Sequence, residues 1–247
     1  MEAQEMANKI RRRTFVIVAI ALHAHVALAY TFRPTDIEWQ TWPDYCKAKY
    51  VWTNIGKKTK FVDLVSPAQK SELAQWEAEG IRGLHHHCTG TIWLARARLE
   101  RSPQQKRYML NNAMGESRFS YNRSNVHSPK FAYIATQIAS IYYEQGEYDP
   151  ALQVLLKALA DNPDNDILYS ATAVMQRKLG HTKEAKDTLL LGFEAMDGKS
   201  AEISYNLGLL SLELGETDDA EKYAKLAYEQ DFPLPGLRNK LKELGRM

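Results

Sequence analysis

The sequence is short of the features that mark most enzymes and most nucleic-acid proteins. It has only two cysteines in 247 residues, and they do not form a Cys-x-x-Cys pair. Zinc ribbons, thioredoxin-type redox motifs and c-type haem attachment therefore have no basis in it. There is no Gly-rich phosphate loop, no His-Glu-x-x-His and no Gly-x-Ser-x-Gly, which removes the short signatures of nucleotide binding, metalloproteases and α/β-hydrolases. An excess of charge of one sign is missing as well. Lysine and arginine number 32, and aspartate and glutamate 30. Without Lys9, Arg11, Arg12, Arg13, Glu2 and Glu5 near the start, 28 face 28. A neutral chain with no basic stripe lacks the electrostatic footprint of phosphate-backbone binding, so nucleic acid is not an expected partner.

Long hydrophobic runs are also scarce. The one that stands out, Phe15 to Ala29, falls short of the roughly 20 residues that a helix needs to cross a bilayer. It follows Arg11-Arg12-Arg13 and closes on Ala27-Leu28-Ala29, which supplies the three parts of a secretory signal peptide. We expect residues 1–29 to be a signal peptide, with cleavage after Ala29 and a mature chain in the periplasm or secreted, without a stable membrane span. A retained signal anchor is the alternative, and it too exports the folded part. No cysteine follows the run, so lipid attachment through an N-terminal cysteine is excluded. Both cysteines, Cys46 and Cys88, lie in the exported part. In an oxidising compartment a disulfide is expected, and closing a loop of about forty residues would contribute about 4 kcal/mol. The alternative is a pair of buried thiols serving as small apolar residues.

What remains is 45% hydrophobic and 25% charged, enough to bury a core. From Ala132 onward the chain repeats itself. Aligning the segments that begin at Ala132, Asp166 and Ala201 brings Gly146, Gly180 and Gly215 into one column, Ala151, Ala185 and Ala220 into a second, and Ala158, Gly192 and Ala227 into a third. Within each copy the apolar positions recur at helical spacing, as in Ile134, Ile138, Ile141 and Tyr142, or Leu152, Leu155, Leu156 and Leu159. Each copy therefore reads as two helices joined at a glycine that ends the first. Such a pair cannot bury its apolar face alone, so the copies stack.

Residues 132–234 resemble three tetratricopeptide repeats. The first carries Ile138-Ala139, Tyr142, Gly146, Ala151, Ala158 and Pro163, and the third Asn206-Leu207-Gly208, Gly215, Ala220, Tyr223 and Ala227. The second departs from the pattern, with Thr172-Ala173 and Gln176 in place of an apolar pair and an aromatic, and with Gly192 in place of alanine. The resemblance implies an all-α fold, a right-handed α-solenoid of helix pairs. Residues 84–131 read as a degenerate pair of the same kind, and 235–247 as a C-terminal capping helix. Residues 30–83 read as an N-terminal helical cap, since all five tryptophans (Trp39, Trp42, Trp52, Trp76, Trp93) lie in the first half. The segments Trp42-Pro43-Asp44-Tyr45-Cys46, His85-His86-His87-Cys88 and Leu234-Pro235-Gly236-Leu237-Arg238 are similar to envelope repeat proteins of proteobacteria with no assigned activity.

The resemblance places a partner-binding groove on the first helix of each copy: Tyr133, Thr136, Ser140 and Tyr143, then Ser170, Val174, Arg177 and Lys178, then Tyr205, Leu209 and Leu212. Tyrosines bring large contact area at little entropic cost, and Arg177-Lys178 suits a carboxylate or phosphate. The lysine and asparagine clamp with which some members hold an acidic C-terminal peptide is missing, since its positions hold Thr136, Ser140, Ser170, Val174, Tyr205 and Leu209. The function expected is an exported, non-enzymatic scaffold for a protein segment, without a cofactor, in an envelope assembly such as a pilus, secretion or exopolysaccharide system. Two alternatives stand beside it. One is a metal or cofactor carrier using His85 to Cys88, where imidazoles and a thiolate are spaced for a soft ion; the other is a glycan-binding protein using surface aromatics.

Overall fold

The computed structural model describes residues 32–246; the signal segment read at 1–29 lies outside them. The described residues form twelve α-helices and two short 3-10 turns, with no strand among them. They are α1 (Asp36–Thr41), α2 (Asp44–Val51), α3 (Pro67–Ala78), α4 (Leu84–Leu99), α5 (Pro103–Tyr121), α6 (Phe131–Gln145), α7 (Tyr148–Asp161), α8 (Asp166–Lys178), α9 (Thr182–Ala195), α10 (Ala201–Glu213), α11 (Thr217–Glu229) and α12 (Gly236–Glu243). Two compact units divide between Lys70 and Ser71, inside α3.

The N-terminal unit is built on aromatic side chains. Thr35 and Glu38 form a reciprocal capping box that starts α1, and the helix delivers Trp39 to the centre. Trp39 stacks on Phe61 at 4.3 Å between centroids and meets Trp42 and Tyr50 edge-on at 6.4 and 6.2 Å. These offset and edge contacts are the arrangements that ring quadrupoles favour. Thr53 ties the end of α2 down by donating to the Tyr50 carbonyl and accepting from the Gly56 amide. At Gly56 a Cβ would sit 1.9 Å from the Tyr50 carbonyl oxygen, so only glycine fits. Trp76 and Trp93, which composition grouped with the other tryptophans, belong to the second unit instead.

In the second unit the repeat is visible in its hydrogen bonds. Gly146, Gly180 and Gly215 all have φ near +80°. Around them the amides of Glu147, His181 and Glu216 donate to the carbonyls of Tyr142, Gln176 and Ser211, the same helix-ending turn three times over. Asn165 and Ser200 cap α8 and α10 by accepting from Leu168 and Ile203. The alanine column is fully buried at Ala151, Ala185 and Ala220, where paired helices touch. Gly192 breaks the third column for a visible reason: a Cβ there would lie 2.6 Å from Tyr169 Cγ and 2.9 Å from Ile203 Cδ1. The ring of Tyr169 fills the space that a methyl group occupies in the other copies. Thr172, polar where an apolar residue is typical, is completely buried and donates to the Leu168 carbonyl at 2.7 Å.

Helices α6 to α11 make three antiparallel pairs, and α4 with α5 makes a fourth. Ser102 caps α5, with Pro103 in its first turn. Each second helix also packs on the first helix of the next pair, and the first helices touch one another in the order α4, α6, α8, α10. Contact from first helix to first helix puts this row on the inside of the stack. Helix α12 buries Leu237 and Leu241 against α10 and α11 and closes that end. The assembly is an all-α solenoid of helix pairs.

The joint between α4, α5 and α6 contains a buried polar knot. Gln137, 6% exposed, donates from Nε2 to Ser117 Oγ at 2.9 Å and to the His87 carbonyl at 3.1 Å. Replacing Gln137 with leucine keeps the volume but strands both acceptors. The expected cost is about 2 kcal/mol, read as a lower urea midpoint at unchanged slope.

Candidate binding face

The first-helix row presents the residues that the resemblance singled out, but it does not present them equally. Tyr133 is 47% exposed, and its ring lies 5.5 Å from Trp76, which also stacks on His87 at 6.1 Å. The end of α3 thus covers the row at α4 and packs beside the start of α6, where Tyr133 stays half exposed. At the other end Tyr205 is 8% exposed and stacks on Phe232 at 4.4 Å. Leu209 and Leu212 pack into the same cluster with Leu237 and Leu241. Tyr205 and Leu209 therefore spend their apolar area on the C-terminal core. Ser170 is buried at 4% exposure, and Thr136 turns its hydroxyl back to the Ala132 carbonyl at 2.8 Å.

From Tyr133 to the covered C-terminal end the row stays open. Val174 is 42% exposed, and Ser140 and Tyr143 are half-buried. Arg177 and Lys178 are exposed, but each is already engaged. Arg177 Nε donates to Glu213 Oε2 at 2.5 Å across α8 and α10. Lys178 Nζ stands 5.2 Å over the Tyr143 ring, and the hydrogen bond with that phenol holds the ammonium above its usual pKa. Tyr143 in turn packs on Tyr148 at 5.5 Å. At the N-terminal edge of the row, burial first and the nearby Asp166 second hold the Glu202 carboxyl above the ordinary carboxylate range, with Ser170 opposing. The exposed middle is therefore a mixed surface in which an apolar strip around Val174 runs between Glu202 at one edge and Arg177, Glu213 and Lys178 at the other.

Sequence reasoning missed Trp76, Glu202 and Glu213. The two glutamates sit on the same helix faces as the residues it chose, on α10, and the repeat alignment contained them. Nothing in the repeat pattern marks Trp76, because α3 precedes the repeats.

The His85 to Cys88 segment corrects the carrier reading. Cys46 and Cys88 are both disulfide-bonded, so Cys88 has no thiolate to give to an ion. His87 is 2% exposed, and burial outweighs its hydrogen bond with Gln137 to lower its pKa to about 4. His86 Nδ1 pairs with Glu116 at 2.6 Å, and its ring packs on Phe119. Among the described residues no group of three or more His, Cys, Asp or Glu is placed to hold a metal ion.

Two family profiles match the chain. The one described as a TPR repeat covers residues 139–180, and the one described as a tetratricopeptide repeat covers residues 201–232. Among curated proteins none is significantly similar. Several solved structures are similar in part. The first TPR domain of human RPAP3, solved by NMR, is 20% identical, with 47% of this chain and 91% of that one covered and a TM-score of 0.43. A thermophilic TPR protein of Thermus thermophilus is 18% identical, with coverage of 71% and 93% and a TM-score of 0.46. MamA AMB-1 is 18% identical, with coverage of 62% and 94% and a TM-score of 0.38. The matched segments include the glycine-ended turns at Gly146 and Gly215 and the buried Ala151 and Ala220, and the chain carries tetratricopeptide repeats over residues 139–180 and 201–232.

Proposed function

We propose that this protein is an exported scaffold that receives a segment of a protein partner on the open middle of its first-helix row, within an envelope assembly of the pilus, secretion or exopolysaccharide kind. The tetratricopeptide repeats support a protein-interaction scaffold, and repeat solenoids as a rule work by binding. The export step rests on the leader-like residues 1–29. The observation that carries the binding site is the exposure of Val174 beside Arg177 and Lys178, on a row that Phe232 and α12 close at one end and that stays open toward Tyr133. A segment laid there would bury an apolar strip and exchange its own charges with the Arg177–Glu213 pair. No catalytic activity is proposed.

A crosslinking capture from envelope fractions tests this, with Val174→Glu/Lys178→Glu as the control bait. Both side chains are exposed, so stability should stay within about 0.5 kcal/mol of wild type, and the partner should be lost. A partner held equally by both baits would place binding elsewhere. Breaking the surface pair with Arg177→Ala should cost under about 1 kcal/mol of stability, which thermal unfolding would show. Mass analysis of the protein recovered after export should give an N-terminus at Tyr30.

A further inference from the structure

The N-terminal unit carries a surface that the first-helix row does not use. Between Val51 and Val65 the chain makes two 3-10 turns, Gly56–Lys58 and Val62–Leu64, and the first of them packs against both the second and α2. The end of α2 and the two turns are therefore neighbours. Their exposed side chains are mainly apolar and basic, with one carboxylate, Asp63, between Val62 and Leu64. Trp52 is 70% exposed, Leu64 59% and Val62 38%, while Lys57 and Lys58 stand open to solvent beside them. Among the described residues, Lys57 donates to the neutral Asn54, at 2.9 Å. Residues 32–70 hold seven basic and four acidic side chains, so this unit carries net positive charge, while residues 71–247, with 21 basic and 24 acidic, carry net negative charge.

An indole and an exposed leucine beside two lysines, which outnumber the single carboxylate Asp63 in these turns, suit the boundary between water and lipid headgroups. The ring takes the amphipathic layer, the leucine reaches the acyl edge, and the ammonium groups meet phosphates. A folded protein partner fits less well, because lysine is depleted at the cores of protein interfaces. On the exported reading, on which this step rests, the apolar run Phe15 to Ala29 also brings this unit to a membrane first. We infer that the N-terminal unit binds anionic phospholipid surfaces through Trp52, Leu64, Lys57 and Lys58, so that the scaffold works at a membrane face even after its leader is removed.

The test is sedimentation of the chain beginning at Tyr30, which lacks the apolar run, with vesicles of phosphatidylcholine and phosphatidylglycerol at 7:3 and with vesicles of phosphatidylcholine alone. Binding is expected to the first and not the second, and to be lost at about 0.5 M salt, where charges are screened within a few ångströms. Each lysine near an anionic surface is worth about a factor of five, so Lys57→Gln/Lys58→Gln should weaken partitioning roughly 25-fold. Trp52→Ala should weaken it as well, while Lys240→Gln/Lys242→Gln on α12 should not. Circular dichroism confirms that each variant is folded. No binding to either vesicle, as a site for an acidic protein ligand would predict, overturns the inference, and so does binding that the Lys57, Lys58 and Trp52 variants leave unchanged, which would place it on another surface. The Val174→Glu/Lys178→Glu variant should bind vesicles like wild type, which separates failure here from failure of the groove.

Discussion

Replacing Cys46 and Cys88 together with alanine should lower the stability of the protein by about 4 kcal/mol. They are its only cysteines, and both are disulfide-bonded. The bond closes a loop of about forty residues, and its removal returns that loop-closure entropy to the unfolded chain. Both residues are buried, at 0% and 1% exposure, so alanine also leaves a small void. Reduction of the wild-type protein, which keeps both sulfur atoms, should reproduce most of the loss seen in the double variant. Urea unfolding of the oxidised protein, the reduced protein and the variant checks this. If the variant were destabilised and the reduced protein were not, the effect would be a packing defect. The same burial makes a kinetic prediction: reduction under native conditions should be slow and should accelerate sharply as urea approaches the unfolding midpoint. A bond of this worth suits an oxidising compartment.

The repeats were legible in the sequence because small residues at fixed spacing have one physical cause, the close approach of paired helices, and that cause recurs at Ala151, Ala185 and Ala220. The α4 and α5 pair was only dimly legible, although the same cause operates there. A Cβ on Gly90 would lie 3.3 Å from the Ala113 carbonyl oxygen, as one on Gly208 would from that of Ala220. Gly90 is therefore the counterpart of Gly208. The two small residues of the contact stand 23 apart in the first pair and 12 apart in the last, because α4 and α5 are longer, and an alignment at a fixed period misses them.

The candidate face was legible by position but not by exposure. Repeat spacing correctly puts Ser170 and Tyr205 on first helices, yet it carries no information about neighbours outside the repeats. Phe232 and α12 turn Tyr205 inward, whereas Trp76 from α3 packs beside Tyr133 and leaves it half exposed. The charge pairing of Arg177 was equally hidden, since Glu213 lies a whole repeat away. Sequence periodicity reports which side of a helix faces inward; side chains from capping segments decide how much of that side remains open.

The protein should also lose about 3 kcal/mol of stability between neutral pH and pH 4 through one side chain, His87. Its imidazole is 2% exposed, packed on Trp76 and held to a pKa of about 4, against an ordinary value of 6.5. The folded state therefore keeps the ring neutral where the unfolded chain would protonate it. This contribution is whole above pH 6.5 and is lost as the pH falls toward 4, because only the unfolded state takes up the proton in that interval. About 2 kcal/mol should be gone by pH 5. The carboxylates held below their usual range, among them Glu79 beside Lys130 and Glu144 beside Lys106 and Arg98, have ordinary pKa values near 4.5. Their contributions begin to fade in the lower half of the same interval. The clean comparison is His87→Phe, which keeps a ring against Trp76. Urea unfolding at pH 7.5, 6 and 5 should show the wild-type curve falling and the variant nearly level; parallel curves would assign the slope to other groups. Acid should loosen the α3, α4 and α6 joint before the repeats, and hydrogen exchange at pH 5 should find the amides of α4 opening ahead of those of α10.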